Sequence, residues 1–132
     1  KKMDLKYVHA FLTQSYWAKG IPFHLVEASV KNSLSIGIYA NKNQVGFARV
    51  ITDYATFAYL ADVFIDEAFR AQGLSKKLME FILSFEEFKW LRRFILATRD
   101  AHGLYAQFGF TLLKSPDRFM EIHQPDVYKA SL

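Results

Sequence analysis

Residues 61–83 read ADVFIDEAFRAQGLSKKLMEFIL, and the chain changes period in the middle of them. The first five residues close an apolar strand pattern, whereas from Leu74 onward Leu74, Leu78, Phe81 and Ile82 recur at helical spacing. Between the two lies RAQGLSKK, residues 70–77, with one glycine, three cations and a hydroxyl. A helix that starts straight after a strand presents unpaired backbone N–H groups and the positive end of its dipole, a combination suited to an anion. Gly73 lets the backbone come close, Arg70, Lys76 and Lys77 add positive charge, and Ser75 can donate a further hydrogen bond. The same residues also suit an ordinary glycine turn with solvated cations. Neither GxxxxGK[ST] nor GxGxxG occurs in the chain.

Working outward, Asp4 can cap a helix over 5–16, on which Leu5, Val8, Phe11, Leu12 and Tyr16 share a stripe. Pro22 fits the first turn of a second short helix reaching Val30. SLSIGIYA, an Asn-rich NKNQ turn and VGFARVIT read as two strands, and DYATFAYLADVFI as a third, so short links give an antiparallel meander. Beyond the helix that starts at Leu74, RRFILAT is a further strand. DAHGLYAQFGF is a short helix capped by Asp100 and ended by Gly109. FTLLK and RFMEIH, around the turn signal SPD, read as final strands. The expected fold is α/β (α+β), a single domain over 1–132 with a mixed, mostly antiparallel central sheet and helices on both faces.

The chain has 132 residues, room for one core, and its 52% hydrophobic and 23% charged residues give a globular balance. With no cysteine, disulfides, thiolate metal sites and cysteine nucleophiles are excluded. No apolar stretch approaches the roughly 20 residues of a membrane span, and KKMDLKYVHAF has no signal-peptide core. A cytoplasmic protein without a membrane partner is expected. None of the four His stands at metal-ligand spacing with another ligand, so no metal is expected either. The net charge of +4 suits an anionic ligand. A nucleic acid is not expected, because no basic stripe, helix-turn-helix pattern or aromatic RNA-binding strand motif accompanies that charge.

The stretch 61–83 resembles the acetyl-CoA-binding segment of the GNAT superfamily of N-acetyltransferases, whose signature is [R/Q]-x-x-G-x-[G/A]. Here it reads Arg70-Ala71-Gln72-Gly73-Leu74-Ser75, with Ser75 where the family usually has Gly or Ala. A second stretch, ATRDAHGLYAQFGF, resembles the family's downstream Asn-x-x-Ala-x-x-x-Tyr-x-x-x-Gly-Phe segment, with Ala101, Tyr105, Gly109 and Phe110 in register and Thr98 in place of Asn. The resemblance covers residues 34 to 122. Members usually open with a strand before the first helix. Few residues precede Asp4 here, so either the chain is trimmed or that edge strand is missing.

The resemblance implies an enzyme that transfers acetyl from acetyl-CoA, as cosubstrate, to a primary amine of a small molecule or a protein. The amine attacks the thioester directly in a ternary complex. The backbone of Val63 and Ile65 would pair with the pantetheine, N–H groups near Phe64 would polarise the acetyl carbonyl, and the pyrophosphate would lie on Ala71, Gln72, Gly73, Leu74, Ser75 and Lys76, flanked by Arg70. Tyr105 falls at the family's general-acid position, since a phenol can protonate a departing thiolate; by itself it reads equally as a core tyrosine. For the general base, Asp62 comes first, a carboxylate on an apolar strand. Asp100 with His102, and Asp53, are alternatives that read equally as a cap, a surface residue and a turn. His9 and His24 read as structural. Trp17 and Tyr54, with Tyr16, Phe23, Tyr59 and Met120, offer an aromatic lining for an amine, and Asp100 and His102 could join them. Homodimerisation is common among members. The other function the residues allow is a CoA-binding sensor that keeps the cofactor turn without catalysis, for which Ser75 and Thr98 are the only departures.

Overall fold

The computed structural model describes residues 3–131. Two helices, α1 (Leu5–Leu12) and α2 (Phe23–Lys31), precede three strands, β1 (Leu34–Ala40), β2 (Asn43–Thr52) and β3 (Phe57–Ile65). Helix α3 (Leu74–Leu83), strand β4 (Arg93–Leu96) and the short helix α4 (His102–Ala106) follow. The strands form one sheet in the order β1-β2-β3-β4, antiparallel except for the β3–β4 pair. This is the mixed, mostly antiparallel architecture the sequence predicts.

The helices cover both faces because the strands are apolar on both. Phe47 and Phe64 pack with Val8, Leu12 and Val26 under α1 and α2, while Ala48, Val50, Ala58 and Leu60 pack with Leu78, Met79, Ile82 and Tyr105 under α3 and α4. Burying each large apolar side chain contributes roughly 1.5–3 kcal/mol. Asp4 caps α1 by accepting from the Tyr7 N–H at 3.0 Å, and its own N–H donates to Gln44 Oε1 at 2.9 Å, which pins the helix to β2. His9 joins α1 to the α2 entry through a 2.9 Å contact between Nε2 and the Ile21 carbonyl.

Several boundaries differ from the expectation, each for a local reason. Helix α1 stops at Leu12, short of Tyr16, because Ser15 Oγ turns back to donate to the Leu12 carbonyl at 2.7 Å and accepts from the Ala18 N–H at 3.1 Å. Pro22 caps α2 from just outside. Strand β3 begins at Phe57 because Asp53 gathers the N–H groups of Ala55, Thr56 and Phe57 and the Thr56 hydroxyl into a tight turn. Those bonds hold the Asp53 carboxyl well below the usual carboxylate range. The final strands expected at FTLLK and RFMEIH do not form: among the described residues no strand follows β4, and Pro116–Arg118 is a single 3-10 turn. Alternating apolar residues need an opposing layer to become a strand, and here Leu112, Met120 and Ile122 stay 78%, 97% and 90% exposed.

Candidate active site

Helix α3 starts at Leu74 with Gly73 as its cap at φ 76°, and Ala71 is also left-handed at φ 64°. Left-handed residues in a turn aim neighbouring N–H groups into one concavity. Among the described residues none of the six N–H groups from Ala71 to Lys76 meets an acceptor, and the pattern closes only at Lys77, whose N–H donates to the Gly73 carbonyl at 3.1 Å. Arg70 ties the turn down, its Nε donating to the Ile65 carbonyl at 3.0 Å. The Ser75 hydroxyl makes no hydrogen bond among the described residues.

A Cβ placed on Gly73 would meet nothing within 4 Å, so it is the left-handed backbone that requires glycine there. Gly73→Ala is therefore expected to lower stability by about 1 kcal/mol through backbone strain, without a clash. The strain would shift the amides that follow Gly73, and the affinity for a phosphate-bearing ligand is expected to fall as well. Thermal unfolding and ligand titration of the variant check the two effects separately.

The second feature is a gap in the sheet. The parallel pairing of β3 with β4 runs from Phe57↔Arg93 to Leu60↔Leu96 and stops, while β3 continues alone on that side to Ile65. At the parting point β3 is bulged: two steps along β2, Phe47 to Arg49, match three along β3, Phe64 to Ala61. Asp62 absorbs the extra residue at φ 55°. In consequence Leu60 and Val63 both face α3, Phe64 turns to α1, and the β4-facing edge of residues 61–65 has no strand partner.

On the α1 face of this gap Asp62 is held twice. Arg49 Nε donates to its Oδ2 at 2.9 Å and the Trp17 indole N–H to its Oδ1 at 2.8 Å. Arg49 also reaches Ser33 Oγ at 3.0 Å through Nη1. The Arg49 and Asp62 side chains are 16% and 11% exposed, so the pair is mostly removed from water. Trp17 meets Tyr16 edge to face at 5.0 Å, and the Arg99 guanidinium lies over the Tyr16 ring at 3.9 Å. Arg99 comes from the chain that leaves β4, so the two rings reach from one side of the gap to the other.

On the opposite face Tyr105 sits in α4, 9% exposed, with its ring edge to face with Phe110 at 5.9 Å. Its hydroxyl makes no hydrogen bond among the described residues, and burial pushes the phenol above the ordinary tyrosine value. Tyr105 and His102 line a cavity of about 450 Å³ between β4 and residues 110–113. This cavity does not extend to the 70–76 turn, which lies open at the surface.

Trp17, Asp62, Val63, Phe64 and Ile65 thus lie at the gap, Tyr105 packs in the core on the α3 face that Val63 joins, and other expected residues stand apart. Tyr54 stands at the far end of β3 and stacks on Phe88 at 6.2 Å. Asp100 does not cap α4: the Ala101 N–H donates to Thr98 Oγ1 at 3.0 Å instead, because the threonine hydroxyl reaches back into the turn. Asp53 is committed to its turn at the far end as well. Among the described residues no group of three or more His, Asp or Glu is arranged to hold a metal, and no helix is long and apolar enough to cross a membrane. Arg49 and Arg99 are the residues the sequence reading passes over. Arg49 carries a signal, since a lone cation inside the apolar run VGFARV requires a carboxylate opposite, and β3 offers only Asp62.

Residues 31–112 match the family model described as an acetyltransferase (GNAT) domain. The chain is 47% identical to a candidate acetyltransferase of the GNAT family from Xanthomonas campestris pv. campestris, with a TM-score of 0.93 over 96% of this chain and 89% of that one. A protein from Clostridium acetobutylicum whose crystal structure contains acetyl-CoA shares the fold, at 13% identity and a TM-score of 0.66 over 93% of this chain and 94% of that one. A candidate acetyltransferase from Gibberella zeae is 25% identical over 111 residues, which is 70% of this chain and 63% of that relative, so the match spans less than two thirds of its length.

Proposed function

This chain belongs to the GNAT acetyltransferase family, and we propose that it transfers the acetyl group of acetyl-CoA to a primary amine by direct attack within a ternary complex. The observation that carries the reading is the row of six amides at 71–76 without acceptors, at the start of α3 and beside the unpaired edge of β3. A pyrophosphate would satisfy those donors and meet the positive end of the helix dipole. The pantetheine would extend along residues 63–65 as the strand partner that β4 does not supply, with Phe64 near the thioester.

In this mechanism the amine lone pair attacks the thioester carbon, the tetrahedral oxyanion is held by main-chain N–H groups of the β3 bulge, and the C–S bond breaks. Tyr105 delivers its proton to the departing thiolate. Burial keeps the phenol protonated, so Tyr105 holds a proton to share as charge develops on the sulfur, and solvent then restores it. Asp62, the base expected from the sequence, has both oxygens already engaged, which favours a positioning role: it fixes Trp17 and Arg49 around the bulge. The ammonium proton would then leave through water.

The test is a thermal-shift titration with acetyl-CoA followed by CoA release over an amine panel. A ligand at a hundred times its dissociation constant stabilises the native state by about 2.7 kcal/mol. A rise in Tm of several degrees with acetyl-CoA and turnover with at least one amine are expected. No rise at millimolar acetyl-CoA would overturn the reading, and a rise without turnover on any amine would favour a CoA sensor.

A further inference from the structure

The acceptor side of the gap carries an unbalanced charge. Asp62 is the one carboxylate in the cluster with Trp17 and Tyr16, against two guanidiniums, Arg49 and Arg99. Arg49 spends Nε on Asp62 and Nη1 on Ser33, which leaves Nη2 without a partner. Among the described residues Arg99 makes no hydrogen bond or ion pair, and the neighbouring Asp100 does not pair with it. Yet Arg99 is not a loose surface cation. Its guanidinium is laid on the Tyr16 ring at 3.9 Å, and Tyr16 is braced by Trp17, which is in turn hydrogen-bonded to Asp62. A guanidinium stacked on an aromatic face keeps its N–H groups in the plane, pointing outward as a fork that matches a carboxylate.

We propose that the acceptor is an amine that also bears a carboxylate, received by the Arg99 fork at the rim of the gap while the amine points inward past Trp17 to the thioester. This rests on the acetyl-transfer reading above and goes further by naming the acceptor's chemical class. The cofactor's own phosphates are placed elsewhere, since the free amides of 71–76 lead into α3, which packs on the opposite face of the sheet from α1 and Trp17. The positive charge of Arg99 beside Tyr16 and Trp17 is therefore available to the second substrate. An acceptor with a plain cationic chain, such as a polyamine, would meet two guanidiniums and is disfavoured.

The experiment compares matched amines that differ by the carboxylate: γ-aminobutyrate against butylamine, L-phenylalanine against 2-phenylethylamine, and glycine against glycinamide, each with saturating acetyl-CoA. A charge-assisted contact contributes roughly 10- to 100-fold. For at least one pair the carboxylate member is expected to show a kcat/KM higher by that factor, with the preference shrinking as salt is raised. In Arg99→Gln the preference is expected to collapse to within about threefold through a rise in KM, and Arg99→Lys is expected to retain part of it. Preference for the carboxylate-free members in the unmodified chain, or a preference unaffected by Arg99→Gln, would overturn the inference while leaving acetyl transfer standing. Acetyl-CoA binding with no acetylation of any amine tested would overturn the inference together with the enzyme reading.

Discussion

Tyr105→Phe is expected to lower kcat about a hundredfold while leaving the acetyl-CoA dissociation constant within about threefold. The magnitude is the lower end of what a positioned acid contributes when it protonates a leaving group. The variant separates chemistry from architecture because the Tyr105 ring packs against Phe110 but its hydroxyl bonds to nothing among the described residues. Removing that oxygen should leave Tm nearly unchanged, as expected of a substitution that breaks no buried contact. The pH profile gives a second readout. Burial disfavours the phenolate, so the acid form persists beyond the ordinary tyrosine range, and Tyr105 should cause no alkaline loss of rate below about pH 10. An unchanged kcat in the variant would make Tyr105 a core residue only.

Arg49→Ala is expected to cost about 3 kcal/mol of stability, near the lower end of what is lost when one partner of a mostly buried pair is removed. At roughly 3–4 °C per kcal/mol for a domain of this size, Tm should fall by about 10 °C. The cost arises from what is left behind: Asp62 keeps the Trp17 N–H but loses its only cation, inside a strand whose neighbours are apolar. Asp62→Ala should be at least as damaging, since it also places alanine at φ 55°, where aspartate is better tolerated. The double variant Arg49→Met with Asp62→Asn should lose less than the sum of Arg49→Met alone and Asp62→Asn alone, because neither side then buries an unpaired charge. Additive losses in that cycle would show that the pair contributes no coupling.

Much of this arrangement was legible in the sequence where local chemistry dictates it. The shift from period 2 to period 3.6 between Ile65 and Leu74 located the turn, and Gly73 marked its left-handed residue. Tyr105 and Gly109 were placed by a motif whose helix is only five residues long and would not stand out by periodicity. What escaped the sequence depends on tertiary pairing. The Asp62 bulge follows from the register between β2 and β3, and nothing in ADVFI announces it. Tyr54 looked equivalent to Trp17 as an exposed aromatic, but a strand separates them, and only the topology says which end faces the gap. The strands expected after Gly109 failed because apolar alternation states a preference for a layer without supplying one. Arg99 became visible only through its stacking on Tyr16.

In the proposed complex the unpaired amides of 71–76 hold the pyrophosphate of acetyl-CoA. Backbone amide NMR of the chain during an acetyl-CoA titration tests it most directly. The N–H resonances of Gly73, Leu74, Ser75 and Lys76 are expected to move the most and to saturate together, at the same concentration that saturates the rise in Tm. Saturating acetyl-CoA that stabilises the protein while those four resonances stay in place would contradict it.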